Sequence, residues 1–264
     1  MSNTDLTDET KITRLIRTNR ILSVVHLVQA IAIIVLSTSA KFSITQAYQK
    51  FNPKTEMLEA ATRPLFSIQL SLAVAVFFFV SAFAHFYVGW LRPKWYSDNL
   101  ARGINKARWY EYGISASIMM VAIAILAGME DLTAIIMIFA LTFVMNMMGL
   151  VMESHNNTDN AKPNWFSFNI GSIAGAIPWI VIAIYFWAAE TASTGVNGSV
   201  PTFVYIIFIT IFVFFNCFAI NMILQYKRVG KWKDYLYGER VYMILSLVAK
   251  SLLAWQIFFG TLRP

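Results

Sequence analysis

Long apolar runs separated by short polar ones set the pattern of the chain. The runs occupy Ile21–Ser37, Leu65–Leu91, Trp109–Gly128, Leu132–Met152, Trp165–Ala189, Pro201–Gln225 and Val241–Gly260, and are 17 to 27 residues long. A helix crosses the hydrocarbon core of a bilayer with about 20 apolar residues, range roughly 17–25. Lipid offers no partner for backbone N–H and C=O groups, so such segments must satisfy them internally, as helices. The pattern predicts an all-α, seven-transmembrane helix bundle forming one domain over residues 1–264, a multi-pass protein of the cell membrane. The longest connection, residues 38–64, contains the alternation Phe42-Ser-Ile44 and then Asn52-Pro53. That suits either a short hairpin or an irregular loop.

Composition sharpens this. Of the 264 residues, 58% are hydrophobic and 13% charged, against about 25% charged in soluble domains. Disorder is excluded and a soluble enzyme is disfavoured. Cys217 is the sole cysteine, which removes an intrachain disulfide or a Cys-based zinc site. The chain shows no nucleophile triad, metal motif or nucleotide loop, so neither a metal nor an enzymatic activity is expected.

The net charge of +7 is distributed unevenly. Fifteen Lys and Arg fall in the N-terminal segment and the second, fourth and sixth connections, and five (Lys41, Lys50, Lys54, Arg63, Arg263) on the opposite side. Basic residues mark the cytoplasmic side, which predicts a cytoplasmic N-terminus, an extracellular C-terminus and an extracellular 38–64 loop. This placement accounts for the basic balance without nucleic acid. The polar residues before the first span, and its interruption by His26 and Gln29, argue against a cleaved signal peptide.

One basic residue lies inside a span. Lys250 is nine residues into the last run, roughly 14 Å deep at 1.5 Å per residue. A lysine at that depth costs about 2.5–3.5 kcal/mol and marks a functional site or an ion pair between helices. Glu111 is the one carboxylate set inside a span; Glu130, Asp131, Glu153, Glu190 and Glu239 fall at span ends, where a solvated or headgroup-level carboxylate is expected. Helical spacing puts Glu111, Ser115 and Met119 on one face. Pairing Glu111 with Lys250 requires the third helix to start before Trp109, with Arg108 facing protein or water. His26 and His85 lie at similar depth in the cytoplasmic-side half, either as helix-to-helix hydrogen bonds or as proton-holding groups in a polar cavity. The outer halves of the third and seventh spans (Met120–Leu126 and Leu252–Phe258) hold no titratable group.

A midplane lysine in the seventh helix with a third-helix glutamate resembles the retinal-binding rhodopsins. The segments Arg108-Trp-Tyr-Glu111-Tyr with Ser115 and Ser117, and Ser246-Leu-Val-Ala-Lys250-Ser-Leu-Leu-Ala-Trp-Gln256, are similar to those of heliorhodopsins, as are His26, His85, Met145-Asn-Met-Met-Gly149 and Pro178-Trp179. The inverted orientation read from charge agrees with that family. The resemblance implies all-trans retinal on Lys250 as a protonated Schiff base, Glu111 as counterion and Ser246 hydrogen-bonding near the imine. Helical spacing and the likeness together suggest Ser115, Met119, Met145, Gly149, Gly171, Gly175, Pro178, Phe212 and Phe215 as the lining of the pocket. The family's proton is held in a cavity involving the residues matching His26 and His85.

The resemblance thus implies a light-sensing photoreceptor that signals by conformational change without net ion transport. It also implies a homodimer in the lipid bilayer and a signalling partner that the sequence does not identify. The competing readings are a light-driven transporter or channel, and a retinal-free membrane scaffold or enzyme.

Overall fold

The computed structural model describes residues 3–156, 162–192 and 201–262; Arg263, counted above, lies outside the described residues. The chain runs α1 (Asn3–Leu36), β1 (Lys41–Asn52), β2 (Met57–Gln69), α2 (Leu70–Phe86, ending in a π turn over Tyr87–Leu91), α3 (Pro93–Leu100), α4 (Lys106–Leu126), α5 (Leu132–His155), α6 (Phe166–Ala192), α7 (Thr202–Tyr226) and α8 (Tyr235–Ile257, ending in a π turn over Phe258–Leu262). Seven of these helices are long and apolar enough to cross a membrane. The eighth, α3, has eight residues and sits in the connection between α2 and α4.

Contacts run from α1 to α2, α2 to α4, α4 to α5 and α5 to α6, with α7 on α8 and α8 back on α1; α4 also touches α6 and α7. The apolar core is built from Phe77, Phe78, Met120, Ile123, Ile182, Ile207, Leu253 and Ile257. Outward faces are equally apolar: Ile21, Val24, Val28, Ile31 and Val35 on α1 are exposed, as expected where lipid is the solvent.

Four of the seven spanning helices start three or more residues from the hydropathy reading. The first helix starts at Asn3 rather than Ile21, because its polar N-terminal part continues the helix beyond the apolar run. The 38–64 connection is a two-stranded antiparallel hairpin, and β2 continues to Gln69, so the second spanning helix starts at Leu70 rather than Leu65. The register shifts between Ile44 and Thr45, whose partners are Phe66 and Pro64; a bulge is where a strand tolerates a proline, which has no N–H for the ladder. The third spanning helix starts at Lys106, where the Asn105 side chain caps the Arg108 N–H. The last starts at Tyr235, capped by Asp234, six residues before Val241.

The hairpin is docked through Asp131. This residue caps α5 by accepting from the N–H groups of Thr133 (2.9 Å) and Ala134 (3.1 Å), and its second oxygen accepts from Ala47 N–H of β1 at 2.9 Å. Thr45 N–H donates to the Glu130 carbonyl at 2.9 Å. The Thr133 hydroxyl and then the Ala47 N–H hold the Asp131 carboxyl down, from 3.8 to about 2. A depressed carboxyl contributes stability that is complete above its unfolded value and disappears as pH falls through its folded value. Docking of β1 on α5 is therefore expected to hold above pH 4 and to weaken towards pH 2. Protection of Ala47 N–H from hydrogen exchange, taken relative to the intrinsic rate at each pH, is expected to fall over that window, and Asp131→Asn to flatten this dependence while lowering protection at neutral pH. A protection factor that does not change with pH in the parent would show that Asp131 does not dock the hairpin.

Candidate functional site: a buried lysine–glutamate pair

Lys250 and Glu111 are 3% and 6% exposed, and the lysine Nζ donates to Glu111 Oε1 at 2.8 Å. The third spanning helix starts at Lys106, before Trp109, as the pairing requires. Helical side chains lean toward the start of their helix, and Lys250 folds back along α8 to donate to Ser246 Oγ, four residues earlier, at 2.6 Å. Its ammonium also lies 5.0 Å from the centre of the Tyr112 ring, and Tyr112 is held by its hydroxyl on the Tyr242 carbonyl at 2.9 Å. Ser81 Oγ is 2.6 Å from Glu111 Oε1 and 2.9 Å from the Phe77 carbonyl, so one hydroxyl hydrogen serves two acceptors. The sequence pattern does not single out Ser81. The available signal is its place on the inward stripe of α2, one turn before His85.

Two cavities meet this pair. The larger, about 340 Å³, is lined by Lys250, Ser246, Ser115, Met119, Met145, Gly149, Gly171, Gly175, Phe212 and Phe215. Its walls also include Trp109, Tyr112, Phe168, Trp179, Phe218, Met222 and Tyr242, which sequence spacing does not assign to it. Pro178 is the exception among the expected lining: it is buried but does not reach the cavity, and at that level of α6 the wall is Trp179. Neighbouring helix residues point about 100° apart, and the rotation of α6 at this level turns Trp179 rather than Pro178 to the cavity. Trp179 packs edge-on against Phe212 and Phe215 of α7 with ring centres 5.2 and 5.3 Å away. Glycine makes room beside this wall, most strictly at Gly149, where the neighbour is a rigid indole. A Cβ at Gly149 would overlap the Trp109 ring, and one at Gly175 the Met145 sulfur. Ser115 Oγ is buried without a partner among the described residues.

The smaller cavity, about 30 Å³, lies on the other side of Glu111 and is lined by Asn19, His85, Tyr96, Asn105, Arg108, Glu111 and Tyr112, among others. His85 Nδ1 is 2.6 Å from Asn19 Oδ1, and the His85 ring stacks on His26 with centres 5.4 Å apart and planes 8° from parallel. Both nitrogens of His26 and Nε2 of His85 have no partner among the described residues.

Beyond the small cavity stands a buried ionic cluster. Arg108 bridges Glu153 (2.8 Å) and Glu239, with its guanidinium 3.9 Å from the centre of the Tyr242 ring. Glu153 also accepts from Trp109 Nε1 (2.6 Å), Asn105 N–H (2.9 Å) and Tyr235 OH (3.0 Å), and Glu239 from Asn105 Nδ2 (2.7 Å). Glu153 and Glu239 are 2% and 1% exposed, which corrects the expectation that these span-end carboxylates are solvated or at headgroup level. In contrast, past Lys250 neither α4 nor α8 carries a titratable group; the polar residues there are Ser251 and Gln256, the latter paired with Thr210 at 3.2 Å.

A seven-helix membrane bundle whose last helix places a buried amine on the wall of a cavity, with a carboxylate from the third spanning helix against that amine, has the arrangement that the resemblance to retinal-binding rhodopsins implies. The family model for heliorhodopsins matches residues 15–262, and the chain belongs to that family. It is a multi-pass, light-sensing retinal protein. No curated protein matches the chain.

Proposed function

We propose that this chain is a photoreceptor in which Lys250 holds all-trans retinal as a protonated Schiff base, Glu111 is the counterion, and the proton released in the light stays inside the protein. The observation that carries the reading is the buried Lys250–Glu111 pair at the wall of the apolar cavity. Retinal supplies an aldehyde that condenses with the lysine amine, with loss of water, and a polyene that isomerises on absorbing light.

The residues fit that group. A cavity of about 340 Å³ falls at the lower end of the roughly 300–1,000 Å³ of small-molecule sites. Its walls are mainly aromatic and aliphatic, with one amine and a few hydroxyl and amide side chains such as Ser115, Asn146 and Asn216, which suits a long apolar aldehyde. Trp109, Trp179, Phe212 and Phe215 supply flat surfaces, and Gly149 and Gly175 give Trp109 and Met145 the room to stand there.

Charge at Lys250 Nζ is stabilised by Glu111 and by Ser246, since a cation in low dielectric must be paired. Ser81 fixes the Glu111 carboxylate from the α2 side. A proton leaving Nζ finds acceptors on the side of the small cavity, at Glu111, His85 and His26. A space of about 30 Å³ that Asn19, His85, Asn105, Arg108 and Glu111 border among apolar side chains exceeds the roughly 10–15 Å³ needed to admit a water. The Arg108 cluster closes that side, and on the other α4 and α8 carry no titratable group past Lys250. This supports retention rather than transport. With fifteen of the 21 basic residues on the Arg108 side, that end is cytoplasmic. Signalling then passes by a change of conformation to a partner, with a homodimer as the family resemblance implies.

The test is a spectrum and a flash-photolysis trace of the protein reconstituted with all-trans retinal, in parent and Glu111→Gln. Removing one member of a buried ion pair costs roughly 3–5 kcal/mol. The visible band of the variant at neutral pH is therefore expected to fall at least tenfold and to recover on acidification. An unchanged band and titration would remove Glu111 from the counterion role. In illuminated vesicles no uncoupler-sensitive pH change is expected; a sustained one would assign the protein to transport instead.

A further inference from the structure

A guanidinium is held in a fixed orientation where the lipid-facing stripe of α1 ends. The exposed apolar stripe Val35, Ile31, Val28, Val24 and Ile21 leads directly to the exposed Arg20 and, one turn further, Arg17. Arg20 Nε donates to the Gly89 carbonyl in the π turn of α2 at 2.8 Å, and its Cζ lies 4.7 Å from the centre of the Trp90 ring. Gly89 permits this approach: a Cβ there would stand 3.1 Å from both the backbone nitrogen and Cγ of Arg20. Trp90 is 53% exposed, as befits an indole at a membrane–water boundary.

The consequence is a guanidinium stacked on one face, bonded from behind through Nε, with both terminal nitrogens bonded to no acceptor among the described residues. Such a fork matches two oxygens of a phosphate group, and its orienting cost has already been met by the fold. Among the described residues no carboxylate forms an ion pair with Arg17 or Arg20, and Asp98 of the adjoining α3 pairs with Lys94 instead. Neither residues 12–36 nor residues 70–97 include an aspartate or glutamate, so Arg17 and Arg20 meet no carboxylate on their own helix or on the π turn beside it. Their position at the end of an apolar stripe puts the fork level with phospholipid headgroups rather than in bulk water.

We propose that Arg20, backed by Gly89 and Trp90 and assisted by Arg17, binds the phosphate of an anionic phospholipid in the leaflet that meets the Arg108 end of the bundle. The full chain, purified with retinal in detergent, is offered equal amounts of dioleoyl phosphatidylglycerol and dioleoyl phosphatidylcholine, and retained lipid is read by native mass spectrometry. One surface arginine near an anionic headgroup corresponds to about fivefold in binding, so the parent is expected to retain the anionic lipid at least that much more strongly. Arg20→Gln is expected to bring the two lipids near parity, whereas Lys94→Gln, whose lysine pairs with Asp98 at 3.2 Å, leaves the preference intact. Should Arg20→Gln fail to fold, Arg20→Lys decides: it keeps the charge without the fork and is expected to lose at least about half of the preference. Excess inorganic phosphate is expected to leave the retained lipid in place. Parity in the parent, full preference in either Arg20 variant, or release by inorganic phosphate each overturns the proposal.

Discussion

Lys250→Ala, supplied with retinal, is expected to remain colourless in the visible and to unfold more easily than the parent. The first effect follows from chemistry. Lys250 is the amine on the wall of the large cavity, and without it the aldehyde has no partner there. The second follows from electrostatics: the variant leaves Glu111 buried, with Ser81 as its remaining close partner. Breaking a buried pair from one side costs roughly 3–5 kcal/mol, whereas removing both charges is often close to neutral. The double variant Lys250→Ala/Glu111→Gln is therefore expected to regain most of the lost stability while staying colourless. Absorption spectra and thermal unfolding of the three proteins separate loss of attachment from loss of fold. A visible band in Lys250→Ala would place the chromophore on another amine. A double variant as unstable as the single one would mean that the two charges do not act as a pair.

Arg108→Gln is expected to be the most destabilising neutral substitution at the other end of the site. It leaves Glu153 and Glu239, each almost fully buried, without the cation they share. The expected loss is again roughly 3–5 kcal/mol, the cost of an uncompensated buried charge. The helices that it loosens are α4, α5 and α8, which supply the three members. Neutralising the carboxylates as well, in Arg108→Gln/Glu153→Gln/Glu239→Gln, is expected to recover most of the stability. Denaturation of the purified proteins tests this. If Arg108→Gln melts with the parent, the cluster does not hold these helix ends together, and closure of the small cavity must come from packing alone.

The Arg108 cluster also shows where sequence reading stops. Glu153 and Glu239 stand at the ends of apolar runs, and a carboxylate at a run's end ordinarily meets water or headgroups. A hydropathy window averages over some twenty residues of one segment, so it registers where apolar character fades and not what a neighbouring helix brings to that level. Here α4 starts at Lys106 and α8 at Tyr235, outside the windows, and the added turns bring Arg108 to face Glu239 inside the protein. Ser81 escapes sequence reading for a similar reason. A serine in a span usually satisfies itself on its own backbone, as it does on the Phe77 carbonyl, and only the packing of α2 on α4 shows that it also reaches Glu111. Pro178 does not line the cavity as expected, because likeness identifies a segment, whereas rotation about the helix axis selects which of two neighbours faces inward.

The sequence by itself determined the seven spans, through runs of apolar residues that no aqueous fold would expose, and the need for a carboxylate beside Lys250, because an unpaired ammonium is not tolerated at that depth. Tertiary structure decided which groups surround that pair, where the helices begin, and that residues 41–69 form a docked hairpin. The division has one physical cause. Transfer of a segment into lipid is a sum over its own residues and can be read along the chain. Pairing of charges and filling of a cavity depend on distances between helices, which no single segment contains.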